Sequence, residues 1–228
     1  MFAVLGEIGG ADSMREINVL VNCEESGVVR DEFCKLGFNA WSCDLVPSRV
    51  PGNHLQMDAL EAIKVMRWDL MIAYPPCTFL ANSGAKHLYI GGRKENGRNE
   101  ERWESMRKGA EFFKKLLNAD IPFVGAENPV MLGYAIDIIG EQPAQTIQPW
   151  TFGHMEQKAT CLWLRNLPPL KETRNVYDEM MRLPRNERER VHYMPPSETR
   201  QRDRSVTYRG VAEAKAKQWG DWVRERLG

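Results

Sequence analysis

Two apolar runs, each ending in reactive side chains, decide the fold of this chain. The first is Trp68-Asp-Leu-Met-Ile-Ala-Tyr-Pro-Pro-Cys77-Thr78, and the second is Phe123-Val-Gly-Ala-Glu127-Asn128-Pro129. Each run predicts a buried strand whose carboxyl end carries a functional group. Ligands of open α/β sheets bind at the carboxyl ends of the strands, so we expect a thiol and a carboxyl group to meet at one edge of a sheet.

The composition is that of an ordinary globular chain. Its 228 residues are 43% hydrophobic and 27% charged, which is enough to bury a large core. The formal net charge is zero, so any contact with nucleic acid has to come from a local basic patch. No run reaches about 18 apolar residues, and we therefore expect no membrane-spanning segment.

The five cysteines do not show the spacing of a metal site. The sequence has no Cys-x-x-Cys pair and no His pair with zinc spacing, so we expect no metal. An odd number of cysteines without a signal peptide indicates a reducing cytoplasm. The glycine-rich and weakly patterned residues 1–14 are expected to be a leader or a tag-like extension.

Strands that alternate with helices predict a Rossmann-like α/β fold, with a mostly parallel sheet and helices on both faces. The catalytic core is expected at 15–167, a short charged insertion at 168–204, and a helix that completes the core at 205–228. The first five expected strands are 17–22, 39–43, 54–57, 69–74 and 122–125, and the expected helices are 28–36, 59–67, 100–118 and 210–226. Two further strands with hairpin character are expected at 146–150 and 159–164.

The insertion at 168–204 allows two interpretations. It is rich in proline and charge, and its arginines occur in two groups, 182–190 and 200–204. The segment is either a solvated insertion or an arm that contacts phosphates.

The turn after the first strand, Asn22-Cys-Glu-Glu-Ser-Gly27, is a candidate ligand site. The small Ser26-Gly27 pair at a helix start allows a ligand to approach backbone amides, although an ordinary strand-to-helix turn fits the pattern equally well. Asp44, at the end of the second strand, is placed to accept hydrogen bonds from a ribose diol. Asp58, after the third strand, is placed to hold an adenine amino group, or else to form a turn or a helix cap.

Cys77 and Glu127 are the candidate catalytic residues. Pro75-Pro76 fixes the backbone before Cys77, which is expected to be a thiolate nucleophile; the alternative is a small buried hydrophobic residue. Glu127 at an apolar strand end would hold its proton tightly and could donate it. The alternatives for Glu127 are a helix cap or an ion pair with an arginine.

At these residues the chain resembles the C5-cytosine DNA methyltransferase family, and especially the short members carried by phages and prophages. Pro76-Cys77 resembles the Pro-Cys motif that gives that family its nucleophile. Glu127-Asn128 resembles the Glu-Asn-Val motif that gives it the acid, with Pro129 in place of Val. Order and spacing match as well, and the resemblance extends over residues 15–226.

The resemblance implies S-adenosylmethionine as the cofactor. Arg204-Ser205-Val206 resembles the family's Asn-Ser-Val segment before the last helix, which completes the cofactor pocket. The implied cofactor-binding residues are Asn22, Cys23, Glu24, Ser26, Gly27, Asp44, Leu45, Asp58, Ala59, Pro75, Ser205 and Val206.

The sequence departs from the family at the first motif, which lacks Phe-x-Gly-x-Gly, and at the strand that resembles Gln-x-Arg-x-Arg. In that strand, Gln157–Leu164, Ala159 and Cys161 stand at the arginine positions, and Lys158 or Arg165 is expected to substitute. The family's target-recognition domain is reduced to the short insertion. The expected nucleic-acid contacts are Lys158, Arg165, Arg200, Arg202 and Arg204.

The reaction implied is methyl transfer from S-adenosylmethionine to the 5-carbon of cytosine in DNA, as in phage DNA methylation or restriction-modification. Cys77 would form a covalent adduct with a cytosine flipped out of the stack, and Glu127 would assist. Two alternatives stay open: the modification of free pyrimidine nucleotides, and a degenerate protein that binds nucleic acid or a nucleotide without turnover. The amino-methyltransferase motif Asp/Asn-Pro-Pro-Tyr fits poorly, because Tyr74 and Cys77 occupy its two functional positions.

Overall fold

The computed structural model describes residues 15–228, so the predicted leader 1–14 lies outside the described residues. In the described part of the chain, seven strands form one sheet in the order β3-β2-β1-β4-β5-β7-β6. The strands are β1 Asn18–Asn22, β2 Asn39–Asp44, β3 His54–Gln56, β4 Leu70–Ala73, β5 Phe123–Pro129, β6 Gln145–Ile147 and β7 Thr160–Arg165.

The first five strands are parallel, and β7 runs antiparallel to both β5 and β6. The chain builds outward from β1 to β3 and then returns to place β4 on the other side of β1. This reversal creates the crevice at strand ends where open α/β sheets bind ligands. The predicted Rossmann-like, mostly parallel sheet is confirmed, and so is the hairpin character of its last two strands.

Helices cover both faces of the sheet. One face carries α2 (Ala59–Ala62), α3 (Glu100–Leu117) and α4 (Gly133–Ile139), and the other carries α1 (Val28–Lys35) and α9 (Arg209–Leu227). The remaining helices are short and follow β7: α5 Tyr177–Met181, α6 Arg185–Arg188, α7 Arg190–Tyr193 and α8 Arg200–Ser205. Among the described residues, no helix is both long enough and apolar enough to span a bilayer.

The central strands are apolar on both faces because both faces are covered. In β4, Leu70 and Ile72 pack toward α1 and α9, whereas Met71 and Ala73 pack toward α3. All four side chains are at most 1% exposed. Such a strand cannot slip by one residue without exchanging its two faces, so the register that places Cys77 is strongly determined.

Two predicted boundaries were wrong by four residues or more. The fifth strand was expected to end at Gly125, but β5 continues to Pro129 because β7 pairs with it over its full carboxyl half. The helix expected at 59–67 ends at Ala62, because the Ala62 carbonyl accepts a hydrogen bond from the Trp68 indole at 3.0 Å. Glu127 therefore lies within a strand and not after one.

A buried arginine holds the loop between β2 and β3 against α1. Arg30 is fully buried, and its guanidinium donates to Ser42 at 3.1 Å and to the Pro51 carbonyl at 2.9 Å. A Cβ atom added at Gly27 or Gly52 would come within 2.5 or 2.6 Å of this guanidinium. Both glycines have positive φ as well, so Arg30 and the two glycines together fix the shape of the loop beside the strand ends.

The start of α9 depends on a neutral histidine. His154 Nε2 accepts a hydrogen bond from the Gly210 backbone amide at 2.8 Å, which is possible only while that nitrogen carries no proton. Burial lowers the pKa of His154 below its ordinary value of 6.5, although Glu156 and Glu213 oppose the shift. Gly210 itself is required, because a Cβ there would lie 2.1 Å from the Phe152 carbonyl oxygen.

This contact predicts a loss of stability in acid. The pKa of His154 is lower in the folded state than in the unfolded state, so its contribution is complete above pH 6.5 and is lost as pH falls below that value. Between about pH 7.5 and about pH 5, wild type should lose roughly 1 kcal/mol relative to His154→Gln. Urea unfolding of both proteins across this range measures the difference, and two parallel stability curves would contradict the assignment.

Candidate active site

The segment that carries Cys77 leaves the sheet at the end of β4. The Tyr74 amide continues the sheet by donating to the Asn22 carbonyl at 2.9 Å, and Pro75 is buried. Cys77 is half-buried, and its carbonyl accepts from the amides of Leu80 and Ala81 at 3.0 and 2.9 Å. The thiol therefore sits at the start of a tight turn, outside the packed core and accessible from the strand edge.

Glu127 lies beside this segment. The parallel register pairs Ala73 with Ala126, so the next residues, Tyr74 and Glu127, are neighbours. Asn128 Nδ2 then donates to the Pro75 carbonyl at 2.9 Å and ties the two strand ends together. The structure brings the thiol segment and the carboxylate to one edge of the sheet.

A buried lysine of α9, missed in the sequence analysis, forms an ion pair with Glu127. Lys215 is fully buried, pairs with Glu127 Oε2, and donates to the Tyr74 hydroxyl at 3.0 Å. Burial by itself lowers the pKa of Lys215, but Glu127 and Tyr74 raise it above its ordinary value. Glu127 was expected at an apolar strand end, but it lies beside a charged group. Its partner in the ion pair is a lysine and not an arginine.

The spacing along α9 could have revealed this lysine. Val211, Lys215, Trp219 and Val223 repeat every four residues, and all of them are buried. A cation in the middle of an otherwise apolar i, i+4 stripe requires a buried partner.

Lys158 lies within electrostatic reach of both candidate catalytic residues. Burial lowers its pKa, whereas Glu127 and Cys77 act to raise it. Its ammonium donates to the Arg204 carbonyl at 2.8 Å. Lys158 is thus placed at the site, whereas Arg165 is not. Arg165 pairs with Val124 at the amino end of β5. Its guanidinium donates there to the carbonyls of Ala119 and Ile121. The prediction that Arg165 contributes to the site was wrong.

The turn after β1 collects the predicted cofactor residues. Asn22 is fully buried, with Nδ2 donating to the Ala59 carbonyl at 3.0 Å and Oδ1 accepting from the Cys23 amide at 3.1 Å. Cys23 adopts a left-handed backbone, with φ of 57°, which side chains other than glycine rarely accept. Burial raises the pKa of the Cys23 thiol, and Asp44 and Asp58 add to this effect, so these acids surround the turn.

Glu24 occupies the amino end of α1. Its side chain is 7% exposed and accepts a hydrogen bond from Ser26, and burial raises its pKa. Its Oε2 is buried and has no hydrogen-bond partner among the described residues. Gly27, with φ of 76°, is the residue just before the helix. A carboxyl group at this position disfavours a bound phosphate and favours a cationic group.

The predicted adenosine contacts lie at the outer edge of this turn. Asp44 ends β2, and the next residue, Leu45, is 71% exposed, which leaves an apolar side chain open to a ligand. Asp58 Oδ1 caps α2 by accepting from the Leu60 amide at 2.8 Å, so this carboxylate already has the capping role that was the alternative. Ala59 is buried behind it.

The helix α8 lies across the site and joins its two halves. Arg202 pairs with Glu25 in the turn after β1, and the Arg202 guanidinium lowers the pKa of Glu25. Gln201 donates to Thr78, next to Cys77, at 2.6 Å. Ser205 is exposed and donates to the Arg202 carbonyl at 2.7 Å, and Val206 follows as the helix ends.

These contacts change the interpretation of the arginines at 200–204. Arg202 is neutralised by Glu25, which Arg49 also contacts at 2.8 Å, and Arg49 reaches Asp203 of α8 at 2.8 Å. Arg200 donates to the Met194 carbonyl at 2.7 Å. Arg202 therefore holds α8 against the turn after β1, and Arg200 binds within its own segment; that the two contact DNA stays a prediction. Arg204 makes no side-chain ion pair among the described residues.

Among residues 15–228, no group of three or more His, Cys, Asp or Glu side chains has the arrangement of a metal site. No family model matches the chain, and no curated protein matches it.

One solved structure similar to the chain is that of a protein assigned as a DNA modification methyltransferase encoded within a prophage (E. coli). The two share 15% sequence identity with a TM-score of 0.43. The match covers 75% of this chain and 56% of the other, so the chain spans little more than half of that protein's length. A likeness this weak does not indicate what this chain does. The Rossmann-like fold is shown by the order and direction of its own strands.

Proposed function

We propose that this protein transfers a methyl group from S-adenosylmethionine to the 5-carbon of cytosine in DNA, through a covalent adduct on Cys77. The observation that supports the proposal most is that the segment carrying Cys77 and the strand carrying Glu127 lie side by side at one edge of the sheet, tied by the hydrogen bond from Asn128 to the Pro75 carbonyl. The acidic turn after β1 is next to them, because β1 pairs with β4 as far as Asn22 and Ala73.

The chemistry follows from the electron-poor pyrimidine ring. The 5-carbon of cytosine is a poor nucleophile until a thiolate adds to the 6-carbon. In the proposed step the Cys77 sulfur bonds to that carbon, and the displaced electron pair moves to ring nitrogen N3, which gains a proton beside Glu127. The 5-carbon then takes the methyl group that S-adenosylmethionine supplies when bound, and S-adenosylhomocysteine is the product left behind. Water removes the 5-proton, Cys77 leaves as a thiolate as the 5,6 double bond forms again, and N3 gives up the proton it had gained.

The residues of the first turn fit this methyl donor better than a dinucleotide. S-adenosylmethionine carries a sulfonium and an ammonium group, and Glu24 offers a buried carboxyl oxygen without a partner among the described residues. Asp44 suits the ribose diol, and the exposed Leu45 suits the adenine face. A dinucleotide would place its pyrophosphate at the amino end of α1, where Glu24 already stands.

The proposed substrate is a base that has left the helical stack. A cytosine within a duplex cannot place its 6-carbon against a half-buried thiol at the edge of a sheet, so the base has to flip. Lys158, near both Cys77 and Glu127, is the cation best placed to meet the ring oxygen or the flipped nucleotide's phosphate.

The segment after Cys77 offers the basic surface for DNA. Residues 82–98, which include three short helical turns at 82–88, 90–92 and 94–96, carry exposed cations. Within the described part of the chain, none of these cations forms an ion pair with a carboxylate: Lys86, Arg93, Lys94 and Arg98. By contrast, Arg185, Arg190 and Arg202 of the later segment are already paired with carboxylates. We therefore assign the phosphate contacts to residues 82–98.

The nucleophile is tested with Cys77→Ser. A serine hydroxyl does not ionise at neutral pH and cannot add to the ring, so methyl transfer from labelled S-adenosylmethionine to DNA should fall below detection. The fold, followed by circular dichroism and thermal unfolding, should be retained. Cys34→Ser, at an exposed cysteine on α1, is the matched control and should keep full activity. Normal turnover by Cys77→Ser would contradict the proposal.

The DNA surface is tested by the salt dependence of binding. Removing one phosphate interaction reduces the slope of log K against log salt by about 0.9, so the triple variant Arg93→Gln, Lys94→Gln, Arg98→Gln should reduce it by roughly 2 to 3. The control with the same change of charge is Arg185→Gln, Arg190→Gln, Arg209→Gln, in which each arginine is already paired. Equal slopes for the two triple variants would place the phosphate contacts elsewhere.

A further inference from the structure

A fully buried cation of the site, additional to the expected Lys158, comes from the last helix. Lys215 lies in the middle of α9 with no exposed surface, and its ammonium contacts Glu127 of β5 and Tyr74 beyond β4. It also lies near the Tyr74 and Trp219 rings, at 4.8 and 5.8 Å from their centres. One ammonium group therefore contacts both the residue that follows β4 and the carboxyl half of β5, the two segments that lead to Cys77 and contain Glu127.

The ion pair uses only one oxygen of Glu127. Oε2 accepts the hydrogen bond from Lys215, whereas Oε1 accepts none from the described residues and is not among their buried unpartnered atoms. One oxygen is thus anchored from inside the protein, and the other is left to meet a ligand. An anchored carboxylate has few orientations, which is what a group that must meet a ring nitrogen requires.

The charged groups around Glu127 act unequally on it. The Lys215 ammonium is in direct contact and favours the ionised carboxylate, and Lys158 acts in the same direction from further away. Cys77, once ionised, and Tyr74 are the other titratable groups near it. Among the described residues, Lys215 is the one cation within ion-pair distance of Glu127.

We infer that Lys215 is a positioning residue, which holds Glu127 ionised and fixes its free oxygen toward the base. The inference rests on the proposed function for its catalytic meaning, but not for the ion pair itself. In the resting protein Glu127 is then a hydrogen-bond acceptor, and the proton that ring nitrogen N3 gains is taken up from solvent when the base binds.

The charge state is tested on the protein alone, without any substrate. The Glu127 side-chain carboxyl is followed by ¹³C NMR in wild type, in Lys215→Met and in Lys215→Arg, with Glu127→Gln used to assign the resonance. We expect Glu127 to take up its proton at a distinctly higher pH in Lys215→Met and close to the wild-type pH in Lys215→Arg. The same protonation pH in Lys215→Met and wild type would overturn the inference, whatever the function of the protein.

A mutant cycle keeps the test informative if Lys215→Met is unstable. Lys215→Met leaves a buried carboxylate unpaired and should lower the urea midpoint, and adding Glu127→Gln should restore part of the loss. Strictly additive effects of the two substitutions would show that the residues do not interact.

The positioning role is tested by the pH profile of adduct formation on cytosine-containing DNA. The part of the rate-against-pH curve that is controlled by Glu127 should move to higher pH in Lys215→Met. In Lys215→Arg it should lie close to its wild-type position, and the affinity for S-adenosylmethionine should be unchanged in both variants. A purely structural role would lower the rate equally at every pH and would leave the shape of the rate-against-pH curve unchanged. If wild type itself forms no adduct, the proposed function fails, and the NMR titration still decides the ion pair.

Discussion

The buried ion pair between Glu127 and Lys215 is the interaction on which the arrangement of this site depends. Two charges taken out of water are costly unless they meet with good geometry and further hydrogen bonds, and here Tyr74 supplies one of these. Because the partners belong to β5 and α9, the pair can form only when the last helix is docked on the finished sheet. The carboxylate is thus in place only in the complete fold.

The same dependence on the end of the chain appears at α8. This helix contacts the turn after β1 through Arg202 and Glu25, and the turn after Cys77 through Gln201 and Thr78. The turn after β1 and the turn after Cys77 are therefore joined by residues that come about 120 to 180 positions later in the sequence. Ion pairs at the surface are weak individually, but a network that includes Arg49 and Asp203 restricts where α8 can lie.

Much of the fold could be predicted from the sequence, because hydrophobic periodicity and strand-ending residues are local properties. The alternation of strands and helices, the edge that carries Cys77 and Glu127, and the final hairpin all follow from such patterns. The end of β5 could not be predicted, since it depends on pairing with β7, a partner more than thirty residues away. The early end of α2 depends in the same way on a single indole hydrogen bond from Trp68.

The places of the candidate carboxyl groups and of the candidate thiol at the strand ends could be predicted from the sequence. The places of the cations were harder to predict. Lysine and arginine side chains are long, so their position in the sequence says little about where their charge lies. Lys215 was missed, Arg165 lies at the wrong end of its strand, and Arg202, although 47% exposed, is paired with Glu25. A basic cluster in a sequence indicates a binding surface only after its acidic neighbours are known, and for this chain that test favours the segment after Cys77.

The central claim, that a Cys77 thiolate adds to a cytosine ring, is tested most directly by trapping the adduct. The protein is incubated with S-adenosylmethionine and a random-sequence duplex that contains 5-fluorocytosine, whose fluorine cannot leave as a proton does. After methyl transfer the sulfur–carbon bond should persist, and mass spectrometry of the digested complex should find the methylated fluoropyrimidine on the peptide that contains Cys77. A methylated DNA product with no covalent protein, or an adduct on another cysteine, would contradict the account.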